Sequence, residues 1–164
     1  MTTIHERVRF SGLLDRIVTA EEAAKWIQDG MTLGLSGFTR AGDAKAVPHA
    51  LVKRAETESF KVNVLTGASL GADVDALFAK AGIVNKRSPF QADPAMRKSI
   101  NEGGMLFVDT HLSHLSEMVR QNTITDSIDF AILEAVAITE DGMLIPTTSV
   151  GNNGIYADYA KNII

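Results

Sequence analysis

A chain of 164 residues is long enough for one domain whose core needs neither crosslinks nor a structural metal. Its hydrophobic fraction of 45% and charged fraction of 22% are ordinary globular values, which excludes a disordered or collagen-like chain. A formal net charge of -4 offers no basic field for a nucleic-acid partner, and the absence of cysteine removes disulfides and thiolate chemistry, as expected of a reducing cytoplasm.

Glu6, Arg7, Arg9 and Asp15 interrupt the stretch that an export signal would keep apolar, and no long uncharged run follows, so neither export nor a membrane span is expected. Thr19 is predicted to cap a helix over 20–29, with Glu22 as its capping-box partner, Gly30 as the stop, and Ala23, Ala24, Trp26 and Ile27 as the apolar stripe. Residues 31–36 read as a short strand ending at Gly37, and Pro48 suits the first turn of a helix over 47–56. The pattern repeats with a strand over 61–65, a loop over 66–71 and a helix over 72–81 that turns Val74, Leu77 and Phe78 inward.

The basic pairs Lys86-Arg87 and Arg97-Lys98 read as solvated surface, with a small anion as the alternative. Asp93-Pro94 opens a helix through residue 100, Gly103-Gly104 ends it, and 105–108 reads as a buried strand. A helix over 111–120 and the longest β-favouring stretch, 129–138, come next. Asp141-Gly142 is a turn, 144–146 a short extended piece, 151–154 a loop and 156–160 a helix. Asn162 then opens an apolar run that stops at Ile164, the mark expected of a truncated chain.

Apolar strands alternating with helices require a parallel sheet covered on both sides. The expected fold is therefore an α/β domain, an open, doubly wound, mostly parallel sheet with helices on both faces, whose ligands sit beyond the carboxyl ends of the strands.

Two loops fall at such ends. In 34–42, Ser36, Gly37, Phe38, Thr39 and Gly42 combine small residues that let backbone N–H groups approach a ligand oxygen; neither a Walker loop nor a dinucleotide fingerprint is present, and a plain tight turn is the alternative. In 66–71, Gly67, Ala68 and Ser69 occupy the equivalent place, where Ser69 either meets a substrate oxygen or caps the next helix. Gly67-Ala68-Ser69-Leu70-Gly71 also matches a nucleophile elbow, with Asp109 and His111 as conceivable partners of a serine hydrolase. His5 and His49 are far apart, and His111 and His114 lack a third ligand at the usual spacing, so no metal site is expected. Glu134, inside an apolar run, must be neutral, paired or hydrogen-bonded if buried, as a catalytic carboxyl or a structural one.

Read in order, Ser36-Gly37-Phe38-Thr39 with Ala41-Gly42 and Lys45-Ala46-Val47-Pro48, Thr66-Gly67-Ala68-Ser69, Phe107-Val108-Asp109, Glu134-Ala135 with Glu140-Asp141-Gly142, and Pro146-Thr147-Thr148-Ser149-Val150-Gly151-Asn152 resemble the acetyl-CoA hydrolase/transferase family of class I CoA-transferases. The resemblance implies an N-terminal domain, residues 1–164, in which Ser36, Gly37, Phe38, Thr39, Gly42, Gly67, Ala68, Ser69, Gly151 and Asn152 line a pocket for an acyl-CoA and a small carboxylate. It further implies coenzyme A thioester as substrate with no resident cofactor, a nucleophilic glutamate in a C-terminal domain absent from this chain, a homodimer at full length, and a structural role for Glu134. Ala92 stands where relatives can carry threonine, and Asn153-Gly154 where serine or alanine often follows Gly-Asn, which leaves acceptor preference open. A folded fragment acting only as a docking surface is the competing expectation.

Overall fold

Thr32–Leu35 (β1), Val62–Thr66 (β2), Val84–Ser88 (β3), Leu106–Phe107 (β4), Ile128–Ile132 (β5) and Ala160–Ile163 (β8) form one sheet in the order β4-β3-β2-β1-β5-β8. Every pairing in it is parallel. The structure is a computed structural model that describes residues 3–164, without the side chains of Ile4 and His5, so the reading of His5 lies outside it.

Around the sheet lie α1 (Ile4–Arg7), α2 (Ala20–Trp26), α3 (Ala46–Arg54), α4 (Leu77–Ala81), α5 (Pro94–Asn101), α6 (Leu112–Arg120) and α7 (Asn153–Tyr159). Two apolar clusters place them on opposite faces. Ala23, Ala24, Leu51, Phe78 and Met96 from α2 to α5 pack with Leu33, Leu35, Val62 and Val64. Leu115 and Val119 of α6 and Ile155 and Tyr156 of α7 pack with Leu65 and Ala131. Val64 and Leu65 thus point to opposite sides of one strand, as a doubly covered strand requires.

Local chemistry explains several element ends, with side-chain caps at the starts of α2, α5 and α6. Thr19 and Glu22 form the predicted capping box, with the Glu22 amide donating to Thr19 Oγ1 at 3.1 Å and Thr19 N–H to Glu22 Oε2 at 2.9 Å. The helix ends at Trp26, earlier than predicted, and Trp26 is 47% exposed rather than part of the apolar stripe. The predicted helix over 72–81 is a π-helical turn, Ala72–Ala76, followed by α4.

Three further expectations are corrected. Residues 84–88 form a central strand despite their polarity, and Arg87 is wholly buried rather than solvated. Residues 105–108 supply only the short edge strand β4, with Leu106 65% exposed. The stretch 129–138 is divided between β5 and Ala135–Ile138 (β6), which leaves the main sheet to pair antiparallel with Leu144–Pro146 (β7). The chain turns there because Glu134 N–H is drawn to Ser36 Oγ at 2.8 Å.

The sheet order reverses beside β1: the chain runs outward through β2, β3 and β4, then returns to β5 on the other flank. In sheets of this kind ligands bind beyond the carboxyl ends of the strands at such a reversal, which here means the ends of β1, β2 and β5.

Candidate functional site

The loops after β1 and β2 and the segment before α7 meet at that edge. A Cβ on Gly67 would lie 2.8 Å from the Gly37 carbonyl oxygen and 3.0 Å from Gly151 Cα. Both are backbone atoms that cannot swing aside, so only glycine permits this approach. Gly42 has φ +70, and a Cβ there would press on the hydroxyls of Ser149 and Thr147 at 2.9 and 3.0 Å. Thr39, with φ 62, is a β-branched residue in the left-handed region, an uncommon conformation held here inside the tight turn closed by Phe38 N–H on Ala41 O at 3.0 Å.

The predicted residues divide by exposure. Phe38, Thr39 and Gly151 are exposed and Asn152 half-buried, whereas Gly37, Gly42, Gly67 and Ala68 are buried and build the loops. Ser36 is buried, with its hydroxyl donating to Gly42 O at 2.8 Å and accepting from Glu134 N–H. Its hydrogen-bonding is spent inside the protein. Asn152 receives the Ser116 hydroxyl at 2.9 Å, and Tyr156 donates its phenol to Thr66 O at 2.8 Å. Burial pushes that phenol well above its usual range, so it remains a donor.

Ser69 does not cap the following helical turn, which begins after Gly71 without a side-chain cap. Its Oγ accepts from Ala92 N–H at 3.0 Å and lies 2.5 Å from Gln91 Oε1. No histidine bonds to it among the described residues; His111 Nδ1 lies against Ser113 Oγ at 2.8 Å instead. The serine-hydrolase arrangement is therefore not assembled. Below the loop, Arg87 and Asp75 form a buried ion pair at 3.2 Å. Asp75 Oδ2 takes Leu70 N–H at 2.6 Å and Arg87 donates to Ala68 O at 3.3 Å, so the pair clamps the backbone on both sides of Ser69. Asp43, 1% exposed, accepts Gly71 N–H on Oδ2 at 3.1 Å and has no partner on Oδ1. Burial pushes its carboxyl above the usual range, only partly offset by the Gly71 bond and by Lys45.

The donors at this edge are thus largely spent within the protein, with the Ser36 and Ser69 hydroxyls and the Leu70, Gly71, Ala92 and Glu134 N–H groups all bonded internally, and they fix the shape of the loops. Among the described residues no cluster of three or more His, Cys, Asp or Glu could hold a metal, and no helix is long and apolar enough to cross a membrane. A cleft of about 430 Å³ lies at the opposite, amino edge of the sheet between Thr32, Asn63, Lys86 and Asp129, and carries none of the predicted residues.

Comparison with known proteins places the chain in a family. The family described as acetyl-CoA hydrolase/transferase N-terminal domain matches residues 1–164. The chain belongs to that family. A succinyl-CoA:acetate CoA-transferase of Clostridium kluyveri is 44% identical over 161 residues, 97% of this chain and 30% of that protein. An acetyl-CoA hydrolase of Saccharomyces cerevisiae is 32% identical over 171 aligned positions, 98% of this chain and 32% of that protein. The chain spans less than a third of the length of these relatives. Among solved structures, glutaconate coenzyme A-transferase from Acidaminococcus fermentans superposes with a TM-score of 0.70 at 17% identity, over 90% of this chain and 67% of that one. At such identity the fold is what the two share.

Within this acetyl-CoA hydrolase/transferase domain, the structure adds residues that sequence reasoning passed over, Asp43, Asp75 and Gln91, and moves Arg87 from the surface to the core beside them. Asp75 carried a signal, a lone acid between the inward-facing Val74 and Phe78. Gln91, in the loop after β3, carried none because β3 itself is polar.

Proposed function

We propose that this chain forms one wall of a cleft in which coenzyme A passes between an acyl thioester and a small carboxylate, or in which water replaces the carboxylate and the thioester is hydrolysed. The observation that carries this reading is the convergence of Gly37, Gly67 and Gly151 at the carboxyl edge beside the Ser69 loop, in a chain of this family. Phe38, Thr39, Gly151 and Asn152 face the substrates, while Ser36, Gly37, Gly42, Gly67 and Ala68 hold the loops in place. Coenzyme A enters as a substrate rather than a resident cofactor.

The chemistry is nucleophilic catalysis by a carboxylate. A glutamate attacks the thioester carbonyl, CoA thiolate leaves, and an acyl-glutamyl anhydride forms. Thiolate then attacks the glutamyl carbonyl, releases the acyl group as its carboxylate and leaves a glutamyl-CoA thioester for the acceptor carboxylate. The backbone amide of Glu134 bonds Ser36, a contact that does not depend on its side chain, and we assign the nucleophile to polypeptide outside these residues, as the family resemblance implies. A cytoplasmic homodimer at full length is the setting in which we place it.

The test is to assay the 164-residue chain against acetyl-CoA with succinate as acceptor, beside a longer polypeptide of the relatives' length that contains it. Turnover is expected only from the longer one. Turnover by the short chain that is lost in Glu134→Gln but kept in Ser69→Ala would place the nucleophile in this chain and overturn the assignment.

A further inference from the structure

The amino edge of the sheet carries a cleft of about 430 Å³, within the range of roughly 300–1,000 Å³ typical of small-molecule sites. Most of its polar lining is already committed. The Asn63 side-chain amide donates to Gly30 O at 3.0 Å and to Thr32 Oγ1 at 3.4 Å, and its oxygen accepts from Asn85 at 2.9 Å. Thr125 gives its hydroxyl proton to Ser127 O at 2.9 Å. Asp129 takes the Thr32 N–H on Oδ2 at 2.8 Å and Lys161 Nζ on Oδ1 at 2.7 Å, so its charge is matched.

Two charges in the lining are unmatched. Lys86 Nζ donates once, to Ile124 O at 2.7 Å, which leaves two of its three hydrogens for another acceptor. Asp126 enters no ion pair or side-chain hydrogen bond among the described residues. It follows Ile124 by two residues, a span of at most about 7 Å, so the free cation and the free anion border one short stretch of the cleft without pairing within 4.0 Å. Asp126 is exposed and Lys86 half-buried, which leaves both open to a ligand from solvent. The combination selects that ligand. An anion alone would meet Asp126 and Asp129, and a cation alone would meet Lys86. Ile124, itself buried, is the one apolar side chain in the lining, so an aromatic ring or an aliphatic chain finds nothing to pack on. A small molecule carrying both charges side by side meets each with its opposite.

We propose that the amino-edge cleft is a binding site for a free α-amino acid with a small polar side chain. Its carboxylate accepts from Lys86 Nζ and its ammonium donates to the Asp126 carboxylate, while the neutral Asn122 and Ser127, also in the lining, are left for the side chain. No covalent bond changes. The site lies across the sheet from the loops of the carboxyl edge and shares no residue with them, so it stands or falls independently of the function proposed above.

The experiment is a ¹⁵N–¹H correlation titration of the 164-residue chain at neutral pH with L-serine, beside ethanolamine, which lacks the carboxylate, and sodium lactate, which lacks the ammonium, with sodium chloride holding the ionic strength constant. The expected result is a saturable shift of the Lys86, Ile124, Asp126 and Ser127 backbone peaks with a Kd for L-serine of about 1 mM or tighter, and binding of either half-molecule at least about tenfold weaker. Asp126→Asn, at an exposed position, and Lys86→Met are each expected to weaken L-serine by at least about tenfold while the rest of the spectrum stays dispersed. No saturable shift with L-serine, equal affinity for ethanolamine or lactate, or unchanged affinity in Asp126→Asn overturns the proposal. The three wild-type titrations and Asp126→Asn decide the matter even where Lys86→Met does not fold.

Discussion

Arg87 and Asp75 are 0% and 1% exposed, so neither charge has recourse to water if its partner is lost. Breaking such a pair from one side costs roughly 3–5 kcal/mol, because the remaining charge is stranded. Arg87→Met is expected to destabilise the chain by about that amount in urea unfolding. Adding Asp75→Leu should recover only part of the loss, since Leu70 N–H then loses its acceptor. Asp43 carries a different signature. Its folded-state carboxyl is pushed upward, so the unfolded chain ionises first as pH rises past 3.8, and stability falls from there up to the folded-state value. Below that window Asp43 is neutral in both states and the penalty is absent. Asp43→Asn removes this dependence. Wild type should therefore lose stability relative to Asp43→Asn between pH 4 and pH 7, the reverse of an ordinary salt-bridged aspartate, as urea midpoints at the two pH values will show.

At the scale of elements, the site depends on how closely three loops approach. Gly67→Ala would drive a methyl into two backbones at 2.8 and 3.0 Å, and overpacking of this kind costs about 1–3 kcal/mol. A lowered urea midpoint is expected, with chemical-shift changes concentrated at Gly37 and Gly151. The loops themselves were legible in the amino-acid sequence, because β1 and β2 are apolar runs bounded by glycine and each leads into a helix. Polar β3 was not legible. Its strand state is imposed by parallel pairing with β2 on one side and β4 on the other rather than by its own residues. The unbroken reading of 129–138 failed for a related reason, since the amide that ends β5 is captured by Ser36, 98 residues earlier. The polar network behind Ser69 was hidden in the same way. Asp75 and Arg87 lie 12 residues apart, Ser69 and Gln91 22, and Asp43 and Gly71 28, separations that only the sheet order brings together.

For the whole molecule, the carboxyl edge has an apolar character that the chemistry of the loops does not require. Phe38, Phe90 and Val150 are 42%, 53% and 52% exposed. Phe38 adjoins Gly37 and Val150 adjoins Gly151, and those two glycines approach closely, so both residues lie on loops that meet at this edge. Phe90 precedes Gln91, which bonds Ser69 on the neighbouring loop. Single exposed apolar residues are ordinary, but several on adjoining loops of one edge mark a candidate surface for cover by another polypeptide. In the cleft proposed above, that cover is the polypeptide bearing the nucleophile together with the bound thioester. The 164-residue chain on its own should therefore associate through this edge in a concentration-dependent way, which sedimentation velocity over a wide concentration range will detect. Phe38→Ser with Phe90→Ser should shift it toward monomer without lowering the urea midpoint, since neither ring is buried in the core. Association that persists unchanged in the double variant would move the sticky surface elsewhere, with the exposed Val136, Met143 and Ile145 of the β6–β7 hairpin the next to substitute.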